Sequence, residues 1–347
     1  MLSLGGLAQN PTPDEVWRRL DGSSILITGA SGLVGLNLLA ALVGIRDRLG
    51  LELEIISVSK SGVLPGNILH GVGIKFFSGD LLNSKIAGSL PDADWIVHGA
   101  TYGQPAKFTK DSFGTLMLNS EVTATLLKKC RHRFLFLSSS EVYSGLPPAR
   151  HKETEIGTTG PLHPRAAYIE AKRFGETLTL NGFRGSQVAN IARLSLAYGP
   201  GARTDDQRVL NELILRGLKE GSVELRGGNE QVRSYLFAED AVSYLLRILV
   251  LGTGEIYNVG GLESLTLGEL AELIAADLGL EHEFVPGVAG NAVVGAPNEV
   301  RIDMSKTRKL TGEFEHYPIE LGLRATSSWY RDLVACEQIS DGKGSIR

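Results

Sequence analysis

Short apolar, β-branched runs alternate along the chain with longer segments that carry apolar residues at helical spacing. The runs that predict β-strands lie at residues 24–28, 53–58, 75–78, 95–97, 134–137 and 188–194. The segments that predict helices lie between strands, at residues 33–43, 116–129 and 165–181. Because strands that alternate with helices form β-α-β units, the pattern predicts an α/β fold with a doubly wound parallel sheet.

The pattern changes after residue 198. The later segments are predicted as helix 209–220, strand 223–225, helix 239–251, strand 256–259 and helices 266–278 and 305–310. Strand 256–259 has the composition of a last sheet strand, so we expect the chain to return to the sheet there. The remainder is expected to consist of short helices and loops.

The two ends of the chain lie outside the alternation. Residues 1–10 have the composition of a loose arm. Thr12 and Glu15 predict a capping box with Pro13 at the first helical position, which would open a helix that ends at Leu20. The segment after Cys336 is polar and rich in glycine, so we expect a frayed tail.

Composition excludes several classes of protein. The 347 residues are 43% hydrophobic and 21% charged, as in a soluble globular enzyme. A net charge of −4 argues against a nucleic-acid partner. Cys130 and Cys336 suggest neither a disulfide framework nor a metal site. Without an apolar run of about 18 residues or a signal-peptide pattern, we expect a cytoplasmic protein with no membrane partner and no metal.

The first candidate for chemistry is the pair Tyr168 and Lys172 in the predicted helix 165–181. At positions i and i+4 the two side chains share one face of the helix. A lysine ammonium there favours the phenolate and lowers the tyrosine pKa from its ordinary value of about 10. The same spacing also occurs on solvated helix faces, so the pair needs support from the rest of the chain.

Three glycines supply that support. Gly29, Gly32 and Gly35 follow the first predicted strand directly and open the first predicted helix. In such a strand–turn–helix they permit a tight turn, a close approach of a pyrophosphate, and helix–strand packing. The N–H groups of the helix N-terminus then face the phosphates. We therefore expect a Rossmann-like dinucleotide site, in which Ser31, Leu33 and Val34 also contact the cofactor.

This site predicts a division of the chain. We expect a dinucleotide-binding domain over residues 22–196, which 234–259 rejoin, and a substrate-binding lobe formed by 197–233 and 260–335. Residues 1–21 would be an N-terminal arm and helix, and residues 336–347 a polar tail.

The end of the second strand bears on the choice of cofactor. A carboxylate there binds the ribose 2′-hydroxyl of NAD. This chain has Ser59 and Lys60 instead, followed by Ser61. These residues could accept the 2′-phosphate of NADP or form a solvated turn beside NAD, so we expect NAD and leave NADP open.

Motifs across residues 24–329 carry a resemblance to a known family. They are Gly79-Asp80-Leu81, His98-Gly99-Ala100-Thr101, Asn119, Ser138 to Tyr143, Tyr168 with Lys172, Arg193 to Pro200, Asp206 to Val209, Glu230 to Ser234, Asp303, Lys306 and Leu310. Together they resemble the extended short-chain dehydrogenases/reductases that act on nucleotide sugars. The resemblance implies a homodimer joined through helices 116–129 and 165–181. It also implies cofactor contacts by Asp80, Leu81, Ala100, Thr101 and Asn119.

The same resemblance implies roles in catalysis. Tyr168 would take the proton of the sugar C4 hydroxyl, Ser139 would hydrogen-bond the same oxygen, and Lys172 would bind the nicotinamide ribose. The residues expected to bind a nucleotide-sugar substrate are Ser140, Arg165, Arg208 and Arg233. His98 ends a buried strand, and we expect it to be structural.

Glu141 bears on the second half of the reaction. A 4,6-dehydratase of this family needs an Asp-Glu pair, as an acid for the C6 hydroxyl and a base for the C5 proton, where this chain has Ser140 and Glu141. The residue order from Ser139 to Tyr143 most resembles that of UDP-glucuronate decarboxylases. In such an enzyme, the residue at the position of Glu141 would orient the substrate or a water. Leu196 and Ser144 depart from the usual asparagine and glycine of the family, which suggests an altered sugar pocket. A 4-epimerase, a 4,6-dehydratase, a 4-ketoreductase and a non-catalytic NADP-binding sensor remain alternatives.

Overall fold

The computed structural model describes residues 12–61, 71–183, 187–285, 295 and 297–340. It has an α/β architecture built around a seven-stranded parallel sheet, which confirms the predicted fold class. The predicted N-terminal arm, residues 1–10, lies outside the described residues, as do residues 341–347 of the predicted tail.

The strands include all those predicted and several short ones. They are β1 (Ser23–Thr28), β2 (Leu53–Ser59), β3 (Ile74–Ser78), β4 (Ala93–His98), β5 (Cys130–Ser139), β6 (Arg150–His151), β7 (Val188–Leu194), β8 (Leu196–Tyr198), β9 (Val223–Arg226), β10 (Val232–Arg233), β11 (Tyr235–Phe237), β12 (Ile256–Val259), β13 (Leu265–Thr266), β14 (His282–Val285) and β15 (Glu299–Ile302).

The helices separate these strands. They are α1 (Asp14–Trp17), α2 (Leu33–Leu49), α3 (Ser84–Ser89), α4 (Pro105–Lys110), α5 (Ser112–Asn119), α6 (Glu121–Lys129), α7 (Ala166–Gly182), α8 (Val209–Glu220), α9 (Ala238–Leu251), α10 (Leu267–Leu278), α11 (Ser305–Thr311) and α12 (Ile319–Ser340). Short 3₁₀ turns occupy Arg18–Leu20 and Ser140–Tyr143.

The main sheet runs in the order β12-β7-β5-β4-β1-β2-β3, with every neighbouring pair parallel. Its strands are buried on both faces by the covering helices, except for the edge strand β3, which is largely exposed. On β1, Ile25 and Ile27 face one core layer and Leu26 the other. The strand order reverses between β1 and β4, where the carboxyl ends of a doubly wound sheet leave a crevice for ligands.

The predicted helix 116–129 is interrupted. The structure has α5 and α6 on either side of Ser120, whose φ of −116° and ψ of −80° are not helical. The hydroxyl of Ser120 donates a 2.7 Å hydrogen bond to the carbonyl of Leu116. A serine that bonds back to the preceding turn bends a helix, which accounts for the break.

The predicted capping box at the N-terminus is wrong, although the short helix is present. The residue that precedes α1 is Pro13, and none of the described side chains caps the helix there. Thr12 accepts a 2.6 Å hydrogen bond at Oγ1 from Nε of Arg247 instead. A contact with α9 has therefore taken the oxygen that the capping box needed.

The C-terminal helix α12 was not predicted, and it extends past Cys336, where we expected the polar tail to begin. Thr326 and Ser327 are buried on it beside Leu323 and Tyr330, which weakens the apolar periodicity. Trp329 donates from Nε1 to the carbonyl of Ala202 at 2.7 Å. The helix thus supports the loop between β8 and α8.

The described helices include none that is long and apolar enough to cross a membrane.

Candidate active site

A cleft of about 1800 Å³ runs along the carboxyl ends of the sheet strands. One wall is formed by the turns after β1, β2, β3 and β4, and the opposite wall by α8, β9 and β10. The cleft therefore lies at the reversal of strand order, between the main sheet and the later part of the chain.

The glycine turn at the mouth of α2 has the geometry that its spacing predicted. Gly29 has φ of +73°, and a Cβ there would lie 2.6 Å from the carbonyl oxygen of Gly99. A Cβ on Gly35 would lie 2.3 Å from the carbonyl oxygen of Gly29. No side chain caps α2 at Gly32, so the first N–H groups of this helix are available to an anion.

All but one of the residues expected at the cofactor line this cleft. They are Gly29, Ser31, Gly32, Leu33, Val34, Gly35, Ser59, Lys60, Asp80, Leu81, Ala100, Thr101, Tyr168 and Lys172. Asn119 does not reach it: its Nδ2 donates to Oγ1 of Thr101 at 3.0 Å and to the carbonyl of Thr115 at 2.8 Å. Asn119 therefore contacts Thr101, which itself lines the cleft.

Lys60 does not project freely into solvent at the end of β2. Its Nζ lies 2.6 Å from Oδ2 of Asp80, which follows β3. The hydrogen bond with Asp80 raises the pKa of Lys60. Two residues that the sequence suggested as separate cofactor contacts are therefore one ion pair.

Tyr168 lies in the first turn of α7 and is almost fully buried. Burial raises the pKa of its phenol, against a hydrogen bond with Ser139 that lowers it. Glu141 raises the pKa further, whereas Arg165 and Arg208 lower it. The cations that favour the phenolate in this structure are therefore Arg165 and Arg208. The sequence had predicted Lys172 in this role instead.

Burial lowers the pKa of Lys172. Its Nζ donates a 2.6 Å hydrogen bond to the carbonyl of Leu137 and lies 5.8 Å from the centroid of the Tyr168 ring. Burial lowers the pKa of Lys172 to about 7, and Glu176 opposes that shift. Its charged form is therefore less favoured than that of an exposed lysine.

A buried network that the sequence did not reveal supports this helix. Glu176 accepts hydrogen bonds from Arg193 at 2.9 and 2.8 Å and from the hydroxyl of Ser138 at 2.5 Å. Arg193 also donates to the hydroxyl of Tyr143 at 3.0 Å. Glu176 lies four residues after Lys172 on the same helix face, so its spacing was a usable signal.

Phe108 is a second residue that the sequence did not indicate. It lies on α4, and its ring stacks on the ring of Tyr168 with centroids 4.5 Å apart. The guanidinium carbon of Arg165 is 5.4 Å from the Phe108 centroid. Nothing in the spacing of residues joins Phe108 to Tyr168, because the contact crosses two elements.

Glu141 and Arg165 form an ion pair beside the candidate base. Nη2 of Arg165 lies 2.5 Å from Oε1 of Glu141, and both side chains are largely buried. Oε2 of Glu141 accepts a hydrogen bond from Ser144 at 3.3 Å. Nε of Arg165 is buried and has no hydrogen-bond partner among the described residues. Ser140 also lines the cleft, at the start of the 3₁₀ turn.

Arg208 and Arg233 reach the same cleft from the other side. Arg208 is paired with Asp206 at 2.5 Å, and this pairing raises its pKa against the opposing effect of burial. In the described part of the chain, Arg233 donates to the carbonyls of Val232 and Asn298 and to Oε1 of Gln231, and burial lowers its pKa. Arg165, Arg208 and Arg233 carry three positive charges, and Glu141 and Asp206 carry two negative ones. The excess positive charge of this group suits an anionic ligand.

His98 has a structural place, as expected. Its ring nitrogens lie 2.8 Å from Oγ1 of Thr28 and 3.0 Å from the carbonyl oxygen of Leu118. Burial lowers its pKa to about 3, so the ring is neutral and joins β1, β4 and α5.

Residues 25–260 match the family described as the NAD dependent epimerase/dehydratase family, which covers more than half of the chain. The chain belongs to this family. The resemblance drawn from the motifs is thereby confirmed, together with the assignment of the chain as an enzyme and of NAD as its cofactor.

Curated relatives show how the family varies. The chain is 28% identical over 327 residues to UDP-glucuronic acid decarboxylase 1 of Arabidopsis thaliana, an alignment of 92% of this chain and 72% of the relative. It is 26% identical over 326 residues to dTDP-4-dehydro-6-deoxy-D-allose reductase of a Streptomyces species, with 90% and 98% covered. This chain is thus similar both to a decarboxylase and to a reductase.

A solved structure supports the fold. UDP-glucose 4-epimerase of Thermotoga maritima superposes with a TM-score of 0.77 over 90% of this chain and 99% of the other, at 21% identity.

The residues of the cleft fit NAD. The uncapped N-terminus of α2 and the glycine turn leave room for a pyrophosphate, and the cleft continues without interruption to Tyr168 and Lys172. When bound, NAD supplies a hydride acceptor that can later return the hydride. The chain's own residues would hold the phosphates at Gly29 to Gly35 and the ribose near Lys172.

Proposed function

We propose that the enzyme oxidises C4 of a nucleotide sugar and decarboxylates a UDP-glucuronate-like substrate through a 4-keto intermediate. Tyr168 is the general base for the C4 hydroxyl, and Ser139 hydrogen-bonds the same oxygen. Lys172 positions the nicotinamide ribose. Residues 22–196 and 234–259 would bind the dinucleotide, and 197–233 with 260–335 the sugar nucleotide.

The chemistry follows from the order of the steps. Oxidation at C4 makes the substrate a β-keto acid. When the bond from C5 to the carboxylate breaks, carbon dioxide leaves and the electron pair forms an enolate on O4. Tyr168, now protonated, and Ser139 stabilise that oxygen by donating hydrogen bonds. A water protonates C5, hydride returns to C4, and O4 regains its proton from Tyr168.

The observation that carries the proposal is the ion pair of Glu141 with Arg165 beside Tyr168. A 4,6-dehydratase needs a carboxylic acid where Ser140 lies and a free carboxylate as base at Glu141. Here the first is absent and the second is bound to Arg165. Nε of Arg165 has no partner in the described part of the chain, and Arg233 adds a further cation, so a substrate with a carboxylate beside the reacting carbon is favoured.

The arginines would then bind different parts of the substrate. Arg208, which directly precedes α8, and Arg233 on β10 line the part of the cleft where the phosphates and the sugar of a nucleotide sugar would lie. Arg165 and Ser140 lie on the side of Tyr168, where the reacting sugar ring would lie.

The test is incubation with a panel of nucleotide sugars, read by mass spectrometry. A uronate that loses about 44 mass units supports decarboxylation, and a hexose that loses about 18 supports dehydration. Unchanged mass with a new NMR spectrum supports epimerisation. Tyr168→Phe is the control, because retained turnover in that variant would exclude this site as the source of the activity.

A 4-ketoreductase is the second candidate. The relative that reduces a 4-keto sugar is matched over nearly its whole length, and a reductase needs neither member of the dehydratase acid–base pair. It would consume reduced dinucleotide in proportion to product, whereas the decarboxylase would need none after binding NAD. Incubation of a 4-keto sugar nucleotide with NADH or NADPH separates the two.

We also propose a homodimer through α5, α6 and α7. Phe113 on α5 is 72% exposed, and Phe174 and Leu180 on α7 are exposed as well. Large apolar side chains in that position favour burial against a second copy. Sedimentation of the native enzyme tests this, since a monomer at micromolar concentration would contradict it.

A further inference from the structure

The ribose end of the dinucleotide cleft carries a cation where NAD-binding proteins of this fold carry an acid. β2 ends at Ser59, which pairs with Ser78 at the end of β3. Lys60 follows directly and lines the cleft. A carboxylate at this position binds the 2′-hydroxyl of NAD, while a cation accommodates the 2′-phosphate of NADP. By position alone, Lys60 would suit NADP.

The structure places an opposing charge on that cation. Oδ2 of Asp80 lies 2.6 Å from Nζ of Lys60, and both residues line the cleft. Asp80 also accepts a hydrogen bond from the backbone N–H of Leu82 at 3.1 Å, which holds its carboxylate toward β2. The pair therefore has no net charge, and a phosphate that approached it would meet the carboxylate as well as the ammonium.

The other groups nearby do not supply a second cation. The phenol of Tyr102 interacts with Lys60, and burial raises the pKa of Tyr102, so the phenol is neutral. Asp111 interacts with Tyr102 and adds negative charge at a greater distance. Within the described residues, Lys60 is thus the cation that a 2′-phosphate could use.

We propose that the ion pair of Lys60 with Asp80 sets the preference between NAD and NADP. Asp80 occupies Lys60 and thereby keeps the subsite suited to the uncharged 2′-hydroxyl of NAD. Loss of the Asp80 charge would release Lys60 to a 2′-phosphate. The inference rests on the dinucleotide site alone, so it stands or falls independently of the reaction.

The ion pair of Lys60 with Asp80 can be removed without unfolding the protein. The side chains of Lys60 and Asp80 are 64% and 37% exposed, and ion pairs with such exposure contribute little to stability. Once Lys60 is no longer paired with Asp80, its ammonium would bind the 2′-phosphate of NADP more strongly than the 2′-hydroxyl of NAD. Neutral variants of either residue are therefore expected to fold.

The experiment is direct titration of NAD and NADP into the full chain, freed of any bound dinucleotide, by isothermal calorimetry. Asp80→Asn should raise the ratio of NADP affinity to NAD affinity about tenfold. Lys60→Met should weaken NADP in the Asp80→Asn background and return it to the wild-type level. The gain in Asp80→Asn should shrink in about 0.5 M salt because the phosphate contact is electrostatic.

Glu54→Gln is the matched control. Glu54 forms an ion pair with Lys75 between β2 and β3, and neither residue lines the cleft. The substitution changes the net charge as Asp80→Asn does, and it should leave both affinities unchanged. An equal effect of the two variants, or a gain in NADP affinity that persists without Lys60, would overturn the proposal.

Discussion

The ring of Phe108 lies flat against the ring of Tyr168, with centroids 4.5 Å apart and planes inclined by 14°. Phe108 comes from α4 and Tyr168 from the first turn of α7, and both residues line the cleft. The stack limits the orientations of the phenol while its hydroxyl points toward Ser139. Phe108 is therefore a positioning residue for the candidate base.

Phe108→Ala is expected to lower kcat about tenfold, because a base that loses its fixed orientation spends less time in reacting geometry. KM should change less than kcat, and Phe108→Tyr should restore most of the rate. Steady-state kinetics of the three proteins on the active nucleotide sugar decide the matter. A loss confined to KM would instead make Phe108 part of the substrate pocket.

The charges around Tyr168 predict opposite shifts in the pH profile. Burial raises the pKa of Tyr168, and we expect activity to rise with pH as the phenolate forms. Arg165→Met removes a charge that lowers this pKa, so the rising limb of kcat/KM should move to higher pH. Glu141→Gln removes a charge that raises it, so the limb should move to lower pH.

The two variants serve as controls for each other, since each breaks the same ion pair. Shifts in the same direction would mean that the broken pair, and not its separate charges, governs the profile.

Glu176→Ala is expected to cost about 3–5 kcal/mol in the free energy of unfolding, because it leaves the guanidinium of Arg193 buried and unpaired. Asp14→Asn breaks the exposed pair with Arg48 and should cost less than about 1 kcal/mol. Urea denaturation of both variants measures the difference. Similar values would show that Arg193 finds other partners when Glu176 is removed.

Gly29→Ala should abolish NAD binding and destabilise the fold, since its φ is +73° and a Cβ would collide with the Gly99 backbone. Gly50→Ala isolates the contact: its φ is +62°, but a Cβ there has open space. Gly50→Ala should cost only the conformational strain of about 1–2 kcal/mol. Calorimetric NAD titration and thermal unfolding distinguish them, and equal behaviour would argue against the close approach.

The candidate site shows where reasoning from spacing succeeds. Tyr168 and Lys172 were found because one helical turn separates them, and the glycines because a tight turn needs positive φ at Gly29. Glu176 carried the same kind of signal and was overlooked. The roles of these residues in catalysis stay predictions until the variants are measured.

By itself the sequence determined the alternation of strands and helices, the bounds of β7 and α8, and the glycine turn before α2. Each of these depends on residues within a few positions of one another, where backbone geometry converts spacing into direction. Only the tertiary structure decided that Lys60 meets Asp80, Arg165 meets Glu141, and Phe108 lies on Tyr168. These contacts join separate elements, so their distances depend on how the whole sheet and its helices pack. The resulting charge pairing determines which groups of the cleft are free to bind.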